Sequence, residues 1–343
     1  MSSTVLFTAG ELCVTPPHVL SAAAFWGHLP TLLESSRHRL ACLDSAAARA
    51  IEAPDKALQA ASESFRRSRG LRTVQATEQW MAAWGVEVEA FTGYLEREAL
   101  RAQIGDEAPA AADESRLAGV LWPDAVFGGQ AASWLHPLAA RAAVRCEGGA
   151  TDVPGSLFDP ASSPGLAPDA LRVWSDRLDL PATWFDELVA MEAGFLRFAE
   201  RQQTPARLDA ALRARWESLF VADIETASFP TEAAAREALL CITEDGEPMS
   251  AVCSVAGGSY QSGRAMLGDL PVGVRAHALS APPDTLLPIF SQSGVYTVCR
   301  VRGKTEPSLD DPRIRSIVAG AVVSEAVQPL IQRHVAWSPG VSP

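Results

Sequence analysis

The run SLFVADIETASF (218–229), followed after Pro230 by TEAAAREALLCITEDG (231–246), decides how the chain is read. The first segment is dense in Val, Ile, Phe and Thr, which suit a pleated, half-buried strand. The second opens on Thr231, a helix-capping residue, and closes on Gly246, a helix-stopping one. A strand therefore feeds a helix. Downstream, PMSAVCSVAG (248–257) reads as a short helix and GDLPVGVRAHALSAPPD (268–284) holds another between breakers. LLPIFSQ (286–292) and SGVYTVCRV (293–301) read as two strands joined through Ser293-Gly294.

Upstream the periodicity is helical. Leu20, Ala24, Trp26, His28 and Leu29 precede Pro30, and Leu32, Leu33, Leu40 and Leu43 follow it, which predicts a broken helical segment. Thr73 caps a helix in which Val74, Thr77, Trp80, Met81 and Trp84 recur, and Gly85 ends it. Val88, Phe91, Leu95, Leu100 and Ile104 mark the next, with Glu96, Arg97, Glu98 and Arg101 as its charged face. Residues 105–114 and 147–169 concentrate Gly, Pro, Ala, Ser and Asp and read as loops. Leu121 to Leu138 and Leu171 to Phe198 return to helical spacing. Beyond Asp310 and Asp311, one apolar face (Ile314, Ile317, Val318, Ala321, Val327, Leu330, Ile331) predicts a long helix, kinked at Pro329 and packing back on the N-terminal helices. The expected architecture is α+β: a helical module (1–217), an α+β domain (218–304) and a C-terminal helix (305–343).

With 343 residues the chain can hold about two domains at roughly 150 residues each. Its 29 Lys and Arg against 41 Asp and Glu leave a net charge of −12, and such a surface repels phosphate backbones, so nucleic acid is not an expected partner. No window reads as the roughly 20 consecutive apolar residues a membrane span needs, and the start lacks a signal pattern. The expectation is a cytoplasmic protein without a membrane partner. Six cysteines are scattered without a C-x-x-C pair, which fits buried free thiols, with three disulfides as the alternative.

Nucleotide-binding glycine loops, H-E-x-x-H and G-x-S-x-G are all missing. The six histidines stand apart, so neither a metal nor another cofactor is expected. The tryptophans of the helical module recur at helical spacing among aliphatic residues and read as core, with an exposed peptide-binding groove as the alternative. Cys253 reads as a buried thiol, since no histidine stands near it in the pattern to make it a nucleophile.

Taken in order, VADIE, the helix from Thr231, PMSAVCSVAGG, Gly268-Asp269-Leu270 and Pro288 through Val298 resemble the parvulin-type peptidyl-prolyl isomerase domain. The resemblance covers Phe220 to Arg302, about a quarter of the chain. The whole chain is similar to parvulin-related maturation proteins encoded beside ribosomally made, modified peptides, in which a helical region with a tryptophan-bearing helix precedes the parvulin-like part. The segment Lys304 to Pro312 is similar to their link to the last helix.

The family implies a site. Rotating an X-Pro bond crosses a barrier of about 18–20 kcal/mol, lowered by binding the twisted amide in an apolar pocket beside polar side chains. Parvulins place one histidine in the first strand and another in the last; those positions fall on Asp223 and Tyr296. The Met and Phe positions fall near Leu270 and Val274. Both imidazoles are thus replaced, and Asp223 with Tyr296 forms the candidate catalytic pair, either hydrogen-bonded across adjacent strands or unrelated. The candidate peptide-binding residues are Leu270, Val274, Leu287, Ile289 and Phe290, beside Tyr296.

Three functions follow from this reading. The first is a chaperone that binds a precursor peptide or an unfolded polypeptide during peptide maturation. The second is an active prolyl isomerase with an altered site. The third is an accessory subunit docked on a peptide-modifying enzyme.

Overall fold

A computed structural model describes residues 4–105, 114–148 and 168–341. Most of the two expected loops, 105–114 and 147–169, lies outside the described residues. The chain divides into two compact units, Met1–Arg201 with Glu325–Pro343 and Gln202–Ser324. The α+β unit thus begins at Gln202, and its far boundary falls inside the C-terminal helix.

The first unit opens with a hairpin of two short strands, β1 (Phe7–Ala9) and β2 (Leu12–Val14), which the sequence reading did not anticipate. Helices α1 (Pro16–Phe25) and α2 (Leu29–Ala48) follow. The break between them falls at Gly27 (φ +77°), so Pro30 sits in the first turn of α2, where its missing N–H costs no bond. Next come α3 (Asp55–Ser68), α4 (Val74–Ala83) and α5 (Val88–Ile104). Thr73 caps α4 by accepting from the Ala76 N–H. Then follow α6 (Glu114–Phe127), α7 (Gln130–Cys146), α8 (Pro168–Arg177) and α9 (Trp184–Gln202).

Their shared core holds Trp84, Trp122, Trp134 and Trp184, while Trp26, Trp80, Trp174 and Trp337 pack half-buried against it. The described aromatics of this unit are buried in this core or packed half-buried against it, and none of its tryptophans is exposed. The charged run on α5 is not a solvated face. Arg97 is buried and reaches Asp124 of α6 at 2.6 Å, and that fully buried carboxylate also accepts from Arg39 at 3.2 Å and the Ser36 hydroxyl at 2.7 Å.

The second unit begins with α10 (Pro205–Ala214) and α11 (Trp216–Leu219) and is built on a sheet. Strand β3 (Val221–Phe229) leads to α12 (Glu232–Glu244), capped by Thr231, and α13 (Met249–Ala256). Then come β4 (Ser259–Met266), α14 (Val272–Ser280) and the strands β5 (Thr285–Leu286), β6 (Phe290–Gln292) and β7 (Val295–Thr305). The order is β4-β3-β7-β5, with β6 also on β7, and every pairing is antiparallel. The β6–β7 turn has Ser293 and Gly294 both at positive φ (52° and 80°), the geometry of a type I′ hairpin.

Helix α15 (Pro312–His334) runs through Pro329, and Asp311 caps it by accepting from the Arg313 N–H at 2.8 Å. Its Ile314, Val318 and Val322 belong to a core cluster of the second unit, and its Val327, Leu330 and Ile331 to the core of the first. Contrary to the sequence reading, α15 is long and apolar enough to cross a membrane by length and composition, but these six side chains are buried against protein. Strand β8 (Val335–Trp337) pairs with β1, giving the order β2-β1-β8.

Candidate functional site

Strand geometry sorts the side chains of β3 into two faces, because successive residues point to opposite sides. Ala222 and Ile224 join Leu267, Val274, Ala278, Leu287, Cys299 and Val301 in one apolar cluster with α14. Val221 joins a second cluster with α10 and α15, and Ala227 and Phe229 a third with α12 and α13. Asp223 and Glu225 lie between these last two, in phase with both. One face of the sheet is thus apolar at its ends and charged in the middle.

That middle is a network. Glu225 accepts a hydrogen bond from the Tyr260 hydroxyl at 3.0 Å, pairs with Arg302 at 3.1 Å and lies 3.7 Å from Arg300. Arg302 also holds Asp284 at 2.7 Å, and Arg264 of β4 pairs with Asp223 at 3.4 Å. Glu225 and Arg300 are each 16% exposed, against 54% for Asp223. Most of these charges were absent from the sequence reading. The available signal was phase: in VADIETASF the two acids stand in register with Val221, Ala227 and Phe229.

The register separates the candidate catalytic pair. Asp223 lies opposite Gly303, and Tyr296 lies opposite Phe229, six positions along β3. At about 3.3 Å per residue that is roughly 20 Å, far beyond a hydrogen bond. Asp223 belongs to the charged strip. Tyr296 packs half-buried against the cluster under α12 and α13. Of the two readings left open for this pair, the register excludes the hydrogen bond across adjacent strands and leaves two separate strand residues.

The candidate peptide-binding residues divide between the two faces. Leu270, Val274, Leu287 and Phe290 gather on the α14 side, whereas Ile289 joins Tyr296 on the other. Val274 and Leu287 are buried; Phe220, Ile224, Leu270, Leu279 and Phe290 form a half-buried apolar rim around that core. The turn at Gly268-Asp269-Leu270 is fastened by Arg275, which donates to the carbonyls of Leu267 (3.0 Å) and Gly268 (2.7 Å). Gly268 allows close approach, since a Cβ there would stand 2.9 Å from the Ser218 carbonyl oxygen. The only histidine of this unit, His277, is exposed on α14, so no imidazole lies on the sheet. Burial raises the Cys253 thiol above its usual range and pushes Cys299 up to about 11, so neither is a ready nucleophile.

The first unit holds a cavity of about 490 Å³ between the β1–β2 hairpin, His18, the end of α7 and the start of α9. Cys13 and Cys146 line it and are exposed, unlike the buried thiols expected. Arg145 and Glu187 line it too, already paired at 3.0 Å. His18 accepts at Nδ1 from the Thr15 N–H (3.3 Å) and lies 2.7 Å from the Thr15 hydroxyl, which fixes a neutral ring protonated at Nε2. Burial lowers its pKa to about 4, against a smaller upward pull from Glu187. Among the described residues, no group of three or more His, Cys, Asp and Glu could hold a metal ion.

The architecture is therefore an antiparallel sheet with helices on both faces, accompanied by a helical module. No protein-family model and no curated protein matches the sequence. Among solved structures, the chain is similar to the foldase protein PrsA of Streptococcus pneumoniae, with 14% identity over 63% of this chain and 87% of that one and a TM-score of 0.29. It is also similar to PrsA of Bacillus subtilis, with 15% identity, the same coverages and a TM-score of 0.21. A third similar structure comes from work on the SurA-like chaperones PEB4 and Cj1289 of Campylobacter jejuni, with 14% identity, coverages of 66% and 89% and a TM-score of 0.20.

Proposed function

We propose that the protein is a chaperone-like peptide binder that holds extended, apolar segments of a precursor peptide in the cytoplasm while the peptide is matured, with a peptide-modifying enzyme as a further partner. The observation that carries this reading is the rim of five half-buried large apolar side chains (Phe220, Ile224, Leu270, Leu279, Phe290) over a fully packed core. Such a surface grips apolar side chains by burial, at about 25 cal/mol per Å² removed from water. Without imidazoles on the sheet, grip is favoured over catalysis of bond rotation. The maturation role rests on the resemblance of the whole sequence to parvulin-related proteins of modified-peptide systems.

The test is an anisotropy titration with a permanently unfolded polypeptide, reduced and carboxymethylated α-lactalbumin. Saturable binding is expected, weakened about tenfold, or about 1.4 kcal/mol, in a Leu270→Ala/Phe290→Ala variant whose thermal melt shows it folded. Absence of binding by the folded wild-type protein would end the reading. A protease-coupled proline-peptide assay addresses the isomerase alternative: acceleration abolished by both Asp223→Ala and Tyr296→Phe would favour an enzyme.

A further inference from the structure

The edge strand β4 differs from the other edge of its sheet. It pairs with β3 over eight consecutive positions, Val221↔Met266 through Ser228↔Ser259, without a register shift. Among the described residues β3 is its only strand partner, so its outer side presents a regular row of N–H and C=O groups. Proteins normally blunt such edges with proline, bulges, charges or brevity. The opposite side of the sheet uses brevity, with β5 two residues long and β6 three. Strand β4 has no proline and no bulge, and its one charge, Arg264, is 61% exposed.

We propose that β4 receives a segment of the client as an added strand, and that the segment carries an apolar residue beside Tyr260 and an acidic residue beside Arg264. This rests on the peptide-binding reading above and names where and how the backbone is held. Tyr260, Ser262 and Arg264 share one face of the sheet, so the two client residues stand four apart. Tyr260 is half-buried and offers a ring to pack on; among the described residues Arg264 has Asp223, at 3.4 Å, as its one ion-pair partner. On the other face Gln261 and Gly263 flank the added strand, and the bare Gly263, with nothing within 4 Å of a Cβ, admits any side chain. The preference for an acid runs against the net charge of −12, which by itself would draw basic peptides. That opposition separates recognition at Arg264 from general attraction.

The first measurement is hydrogen exchange of the full-length protein with and without the same carboxymethylated α-lactalbumin. Strand addition slows every second amide of residues 259–266, those pointing outward, at least tenfold. The second uses a synthetic ten-residue peptide, threonine throughout except for valine at its third position and aspartate at its seventh. It is expected to bind about tenfold tighter than the same peptide with lysine for aspartate, and Arg264→Glu is expected to reverse that order. N-methylation of its amides is expected to weaken binding at alternate positions only. Binding of the unfolded polypeptide without protection of β4, or a tighter lysine peptide, overturns the added strand and leaves the peptide-binding reading standing. Failure to bind any unfolded polypeptide removes the reading itself. A dimer in sedimentation whose protected amides are those of β4, and which neither probe displaces, assigns the edge to a second copy and also overturns the proposal.

Discussion

Asp223 and Tyr296 occupy neighbouring strands yet stand six positions apart, the first opposite Gly303 and the second opposite Phe229. One sits among charges and the other against the packing under α12 and α13. A double-mutant cycle of Asp223→Ala and Tyr296→Phe is therefore expected to be additive within about 0.5 kcal/mol in denaturant unfolding. A larger coupling would contradict the register.

Asp124 is fully buried between two guanidinium groups, on Arg97 and Arg39. Asp124→Asn takes the buried carboxylate from Arg97 and leaves Arg39 with Glu98, a loss of about 3 kcal/mol. Urea midpoints of wild type and variant measure it. Arg101→Ala, on the exposed side of α5, the helix that carries Arg97, is the control and is expected to cost about 1 kcal/mol or less.

His18 gives the first unit an acid-sensitive point. Its folded-state pKa of about 4 lies below the ordinary value of 6.5, so the unfolded chain binds a proton that the native chain refuses. Stability from this residue is whole above pH 6.5 and declines as the pH falls towards 4, by roughly 3 kcal/mol in all. Denaturant midpoints measured between pH 7 and pH 4 are expected to fall more steeply in the wild type than in His18→Gln. Parallel curves would show that His18 is not held neutral.

Gly258 precedes β4 where the chain passes closely over Phe229. A Cβ there would lie 2.6 and 2.8 Å from two ring carbons and 3.0 Å from the Ser228 carbonyl oxygen. Gly258→Ala is expected to destabilise the protein by about 1–3 kcal/mol, because a packed ring and backbone must both give way. Gly263→Ala, in open space on the strand, is expected to leave the thermal midpoint nearly unchanged.

What the sequence revealed of the fold came from local chemistry. The caps at Thr73 and Thr231 and the Ser293-Gly294 hairpin each rest on a side chain or a positive φ within a few residues, and each was legible. Strand β4, SYQSGRAM, was not, since it has no β-branched residue and is a strand because β3 offers a ladder. The three-residue strands of the first unit are too short to alternate, and one of their pairings joins Phe7 to Trp337. Arg97 sits in a charged run, and its burial depends on Asp124, beyond the reach of helix periodicity. At the candidate site the individual residues could be named, but their grouping depends on faces and register, which scattered the apolar set over both sides of the sheet.

The register of β3 and β7 contains one irregularity, where Asp223 faces Gly303 but Ile224 faces Val301, leaving Arg302 as an extra residue. Two successive positions of β7 therefore look the same way, and the phase resets so that Lys304 points to the α14 side and donates to the Leu279 carbonyl at that helix's end. The spacing between Val301 and Lys304 thus acts as a switch of sidedness. Were Arg302 taken into a regular ladder with no residue left over, the lysine ammonium would swing across to the acids and the helix terminus would lose its cation; deleting Arg302 would instead straighten the strand and leave the lysine in place.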